Sequence, residues 1–259
     1  MSRIKDALKK AKQERPETMA PAAADEVSRS PMVEGFPAAQ ILNYSESTVV
    51  KHKILVPPFI DHDLSERFKL LRAKIVSETK QTDDRTFLVT STQNMEGKSF
   101  CALNLAITFA REVDHKVLLL DINVKNPSVL KYLGIPEQPG LLDCLHDNVP
   151  LSDMMICPGI ERLLLLPLGI GRMKSAELLR SRKTHMLLQE IKRRHKDLYI
   201  ILDGPAITDG VDSVVLAEYM DRVLFMIEHG RISQQKITEA FGLLNKDKIL
   251  GTVFNKRVS

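Results

Sequence analysis

The sequence predicts an α/β fold, a doubly wound and mostly parallel sheet flanked by helices. Three observations carry that prediction. Short β-favouring runs alternate with stretches whose apolar residues recur at helical spacing. Two of the runs, Val117-Leu-Leu-Leu120 and Tyr199-Ile-Ile-Leu202, are almost continuously apolar, as strands covered on both faces are. Both then end in a carboxylate, Asp121 and Asp203, at the strand end where such sheets hold ligands.

Composition narrows the classes. The chain has 259 residues, 44% hydrophobic and 27% charged, which suits one sizeable domain with an appendage. No apolar run approaches the ~20 residues that span a bilayer, and no apolar signal core opens the chain, so a cytoplasmic location is expected. The three cysteines lack metal-ligand spacing. A net charge of +4 without basic–aromatic interleaving does not argue for nucleic acid.

Taken in order, residues 1–15 read as a basic amphipathic helix with Ile4, Leu8 and Ala11 on one face. Residues 16–60 read as a flexible linker, rich in Pro, Ala and Ser at first and more β-like over 48–55. The main domain is expected over 61–259. It opens with a helix over 64–79 whose apolar stripe is Leu64, Phe68, Leu71 and Ile75. A strand from Thr86 then runs into a polar turn ending Gly97-Lys98-Ser99, and a further apolar helix follows. Strand, Gly-Lys-Ser turn and helix make the layout of a P-loop, although Thr92 stands where the first glycine is usual. The turn's backbone amides and Lys98 would hold phosphates, and the Ser99 hydroxyl would hold Mg²⁺. Asp121 closes the next strand and Leu163–Leu166 forms another. A long helix over 175–195 precedes the strand ending in Asp203, which is placed to support a metal through water. Strands near 223–227 and 250–255, around a helix over 233–245, bring the expected strand count to six.

These motifs together resemble the deviant-Walker P-loop superfamily, and within it the bacterial tyrosine autokinases of capsule and exopolysaccharide loci. The resemblance rests on Glu96-Gly-Lys-Ser99, Val117-Leu-Leu-Leu-Asp121 with Pro127-Ser128, Pro139-Gly140-Leu, Ala176-Glu-Leu-Leu and Ile200-Ile-Leu-Asp203-Gly-Pro. It implies an ATP- and Mg²⁺-dependent transfer of the γ-phosphoryl group to tyrosine. Residues 94–100 (Asn94, Met95, Glu96, Gly97, Lys98, Ser99 and Phe100) would bind the nucleotide. Lys98 and Asp121 would be catalytic, Asp121 orienting or deprotonating the tyrosine hydroxyl, and Asn255 would read the adenine edge. Ser99 and Asp203 would serve the metal, with Asn123 in a weak outer role. Glu66, Lys69 and Arg72 resemble an oligomerisation motif with Lys69 in place of its middle arginine. A homo-oligomer is therefore expected, with a separate membrane polysaccharide co-polymerase as partner. That partner would recruit the chain to the inner face of the plasma membrane, so that membrane contact is indirect.

Three departures temper the resemblance. The family reads D-x-D where this chain has Asp121-Ile-Asn123, which removes a charge beside the cation and predicts weakened chemistry. Met95 stands where glycine is common, a strain of about 1–2 kcal/mol if the position needs positive φ. The tyrosine cluster of the family's C-terminus is missing. The four tyrosines are Tyr44, Tyr132, Tyr199 and Tyr219, of which Tyr44 is expected to be reachable in the linker. Two other readings stand beside the kinase: a catalytically weak nucleotide-binding scaffold, and a positioning or partition ATPase. Gln93, where those ATPases carry lysine, argues against the last.

Overall fold

The computed structural model describes residues 39–112, 115–147, 149–170 and 175–256. The basic helix expected over 1–15 and the first part of the expected linker lie outside the described residues.

From Ala39 onward the chain folds, so the flexible linker expected over 16–60 does not extend through its second half. A short strand β1 (Gln40–Ile41) and helix α1 (Glu46–Lys51) lead to Ile54, Leu55 and Val56, all buried. The β-like reading of 48–55 is corrected by α1. Its Thr-Val-Val run has strand propensity, but burying Val49 and bonding Ser45 N to Leu133 O (2.7 Å) override it.

Helix α2 (His62–Thr79) starts under an Asp61 side chain that accepts from Leu64 N, and it buries Phe68 and Ile75. Strand β2 (Thr86–Ser91) leads through the Gly-Lys-Ser turn into α3 (Lys98–Ala110). Next come β3 (Lys116–Asp121), α4 (Val129–Leu133), α5 (Leu141–Asp147), β4 (Ile156–Cys157) and β5 (Leu163–Leu166). The long helix expected over 175–195 is instead two, α6 (Ser175–Leu179) and α7 (Arg182–Arg194). The Ser181 side chain makes a fresh N-cap by accepting from Thr184 N. The chain continues with β6 (Leu198–Asp203), α8 (Asp212–Tyr219), β7 (Arg222–Glu228), α9 (Gln234–Gly242) and β8 (Ile249–Asn255).

The described strands form one eight-stranded sheet, ordered β1-β4-β5-β3-β6-β2-β7-β8. All neighbours are parallel except β4 and β5. The two strands beyond the expected six, β1 and β4, are two residues each, too short to show a period in sequence. Alternate residues of the central strands serve two cores. Leu118, Leu120, Ile200 and Leu202 face the α5–α9 side, while Val117, Leu119 and Ile201 face α1–α4. With both faces covered, the carboxyl edge of the central strands is left for a site.

Candidate nucleotide and acceptor site

Strand β6 lies between β3 and β2, and Asp121 is in register with Asp203, which is in turn opposite Val89 of β2. Topology therefore brings the Gly-Lys-Ser turn, Asp121 and Asp203 to one edge although ~80 residues separate the two carboxylates along the chain.

The loop is shaped by two left-handed residues. Gly97 has φ 94°, and a Cβ there would fall 2.0 Å from the Asn255 side-chain nitrogen. Met95 does adopt positive φ, 71°, with its side chain exposed, so the strain anticipated at that position is present. Glu96 is fully buried: its carboxylate accepts from Gln93 N (2.7 Å) and Glu228 N (3.1 Å), bracing the loop. Asn255 donates to Glu96 O (3.0 Å), and Lys256 donates to Met95 O (2.6 Å). The end of β8 thus grips the loop backbone, and Asn255 stands on the wall of a cleft beside the loop.

Lys98 is buried and donates to Ser91 Oγ (3.1 Å). Burial pushes its pKa down, while Asp203, Asp209 and Glu96 pull it back up. Asp203 is fully buried. Its oxygens are not met at full hydrogen-bonding geometry, and burial, then Asp121, push its pKa well up, only partly offset by Ser99 and Lys98. A buried carboxylate short of donors beside a serine hydroxyl is a place a cation would satisfy. The donor set of Ser99, Asp203 and the buried amide Asn123 suits a hard cation that also takes phosphate oxygens and water. No cluster of three or more His, Cys, Asp or Glu forms an all-protein metal cage among the described residues.

Asp121 accepts three backbone amides: Asn123 N (3.2 Å) at one oxygen, Ser128 N (2.8 Å) and Val129 N (3.0 Å) at the other. It fixes the turn into α4 and also lines a cavity of about 460 Å³ with Lys131, Glu137 and Pro167. A neighbouring cleft of about 680 Å³ holds residues of the Gly-Lys-Ser turn together with Asn123, Ser128, Tyr132 and Asn255. Phe100 lies on this cleft and packs edge-on against Phe68 at 6.1 Å between ring centres.

The oligomerisation residues on α2 divide. Glu66 and Lys69 form an exposed pair at 2.7 Å. Arg72 turns inward, donating to Thr108 O (3.0 Å) and pairing with Glu112 at 2.5 Å, which ties α2 to the end of α3. Tyr44 is half-buried, its hydroxyl 3.4 Å from Pro57 O, and Tyr199 stacks on Phe87 at 6.0 Å within the core.

Two features escaped the sequence. Asp209 accepts at a single oxygen from both Asn94 (2.9 Å) and Lys125 (2.9 Å), linking the loops after β2, β3 and β6. Burial opposes its charge, but those hydrogen bonds outweigh it and hold its pKa below the usual range. Its only signal was its place six residues after Asp203. Lys51, His52 and Lys53 also line the cleft, and the linker reading concealed them.

The fold and this edge are those of a P-loop protein. No family model matches the chain. It is 28% identical over 195 residues to the tyrosine-protein kinase CpsD of Streptococcus agalactiae serotype III, covering 74% of this chain and 82% of that one. It is 26% identical over 181 residues to the succinoglycan biosynthesis transport protein ExoP of Rhizobium meliloti, covering 68% of this chain but 22% of that longer one. Among solved structures, the kinase domain of VpsO superposes with a TM-score of 0.63 at 26% identity, over 77% of this chain and 100% of that one. The chimeric protein CapA2B2 superposes with a TM-score of 0.68 at 22% identity, over 85% and 94%. The chain is thus similar in sequence and fold to bacterial tyrosine-protein kinases of the P-loop type.

Proposed function

We propose that the chain is an ATP-dependent protein-tyrosine kinase-like regulator of capsule or exopolysaccharide biosynthesis. The observation that carries this reading is the position of Asp121. It lines a cavity that shares Lys131 with the nucleotide cleft, so an acceptor hydroxyl entering the cavity would approach the phosphate-binding turn. The turn's amides and Lys98 would fix the phosphates, with Mg²⁺ supplied through Ser99 and Asp203 to neutralise charge on the transferring group. A tyrosine oxygen would bond to the γ-phosphorus as the β–γ bridging bond breaks. ADP leaves, and the hydroxyl proton passes toward Asp121.

Homo-oligomer formation through α2 and cooperation with a membrane polysaccharide co-polymerase belong to the same proposal. The similarity to one segment of the longer transport protein ExoP supports the second. No helix among the described residues is long and apolar enough to cross a membrane, so recruitment to the inner membrane face would come through that partner.

The deciding experiment is phosphotyrosine formation by the full chain with Mg-ATP, with and without a co-polymerase's cytoplasmic segment. Lys98→Ala should lower nucleotide affinity about 10–100-fold, the range for losing a charged hydrogen bond worth about 1.5–3 kcal/mol. Asp121→Asn should abolish transfer while leaving nucleotide bound. Asn123 favours a second reading, a nucleotide-gated scaffold. ATP binding that Lys98→Ala weakens, with no phosphotyrosine in any combination, would select it.

A further inference from the structure

The lining of the nucleotide cleft is electrostatically one-sided. It carries five lysines, Lys51, Lys53, Lys98, Lys131 and Lys256, and neither Asp nor Glu. Three of them have other work. Lys98 serves the phosphate-binding turn, Lys256 holds Met95 O and pairs with Glu228 at 3.4 Å, and Lys53 lies 4.0 Å from Asp61. Lys51 and Lys131 remain, both exposed.

These two are held in fixed relation. Lys51 ends α1 and Lys131 is in α4, and the two helices are joined by the hydrogen bond from Ser45 N to Leu133 O. Gly134 has φ 70°, and a Cβ there would meet Ser45 and Thr48 at 2.6–2.8 Å, so the glycine permits this approach. His52 meets Tyr132 edge-on at 5.1 Å between ring centres. Lys131 also borders the cavity of Asp121, where Glu137 balances the charge, so the positive excess lies on the cleft side.

Resting on the kinase reading, we infer that Lys51 and Lys131 form an anion-recognising rim between nucleotide and acceptor, which selects a tyrosine flanked by carboxylates. The acceptor ring enters beside Asp121, and its acidic neighbours lie along the lysine rim. The segment preceding α2 is therefore a substrate-selecting element. Lysine ammonium groups gathered along one concave wall focus their field and attract carboxylates more strongly than the same groups scattered over an open surface.

Two fluorescent peptides test this: a tyrosine flanked by glutamates, and the same peptide with glutamines. Binding to the full chain loaded with Mg-ADP is read by anisotropy, and phosphotyrosine is read separately with Mg-ATP. The acidic peptide should bind about tenfold more tightly. Lys51→Glu and Lys131→Glu should each remove about fivefold, the upper range for a partly exposed pair. Lys74→Glu, on α2 outside the cleft, should change nothing, and ADP affinity should fall less than peptide affinity in the rim variants. Equal binding of the two peptides, or equal losses in Lys74→Glu, would overturn the rim. Phosphorylation of both peptides alike would sink the rim and leave the kinase standing. Selective binding without phosphotyrosine would sink the kinase and leave the rim.

Discussion

Asn123 is the residue at which chemistry and stability pull in opposite directions. Asn123 is buried with its backbone amide bonded to Asp121, and Asp121 already helps push the pKa of Asp203 up, so another carboxylate here would add like charge to a buried edge. Asn123→Asp is expected to raise Mg²⁺-dependent phosphoryl transfer about tenfold, the lower end of what an outer metal partner contributes. The same change should lower the melting temperature without nucleotide by ~2–4 °C, and Mg-ATP should recover it. A Mg²⁺ titration of activity beside thermal melts checks both halves. Asp203 gives the complementary case. Its pKa is raised by burial, so the folded chain holds the proton more tightly than the unfolded one. That stabilisation is full below the ordinary value of 3.8 and is lost as pH rises through the raised one. Without nucleotide, Asp203→Asn should therefore gain stability over the wild type as pH climbs above the ordinary value of 3.8 toward the raised one. Parallel melting curves across that range would refute the assignment. At this scale the sequence was most legible where a motif's order was kept. It placed Lys98, Ser99, Asp121 and Asp203 at one edge, whereas the positive φ of Met95 was only a condition that the structure met. Asp209 was not legible, because its role is to join three loops that only the strand order β3-β6-β2 makes neighbours.

Among the elements, α2 shows why a motif on one helix serves two ends. Arg72 is directed into the molecule, bonding the last turn of α3, whereas Glu66 and Lys69 pair with each other in solvent. Arg72→Ala should cost about 1–2 kcal/mol, a lost charged hydrogen bond discounted for partial exposure, and lower the melting temperature by several degrees. Lys69→Glu should leave the melt within about 0.5 kcal/mol of the wild type and show its effect only in sedimentation, if α2 forms a contact between copies. Long strands and α2 were legible because period and length agree over many residues. The α6–α7 break was missed because Leu179 and Met186, seven residues apart, keep helical phase across the polar stretch between them, while Ser181 supplies a cap that periodicity does not register. Helix α1 was missed for the opposite reason: its β-branched residues speak for a strand, and contacts with Leu133 and Gly134, ~85 residues further along the chain, decide for a helix.

The molecule as a whole places its least movable part directly under its Gly-Lys-Ser turn. Every residue of α3 except Phe100 is buried, and the helix is packed between α2 and the sheet. Its amides should exchange with deuterated solvent only through global unfolding, on the slowest timescale of the chain. The loops at residues 92–97, 122–128 and 204–210 lie outside helix and strand along much of their length and meet through Asp209, so they should exchange by local opening. Bound Mg-ADP is expected to slow exchange in those loops first, and in α3 only as far as it raises overall stability. A helix that cannot be displaced leaves the loops as the parts able to report which nucleotide is present. Any message from the phosphates to the surface is then carried by a change in which loops hold together, with the scaffold beneath them standing still.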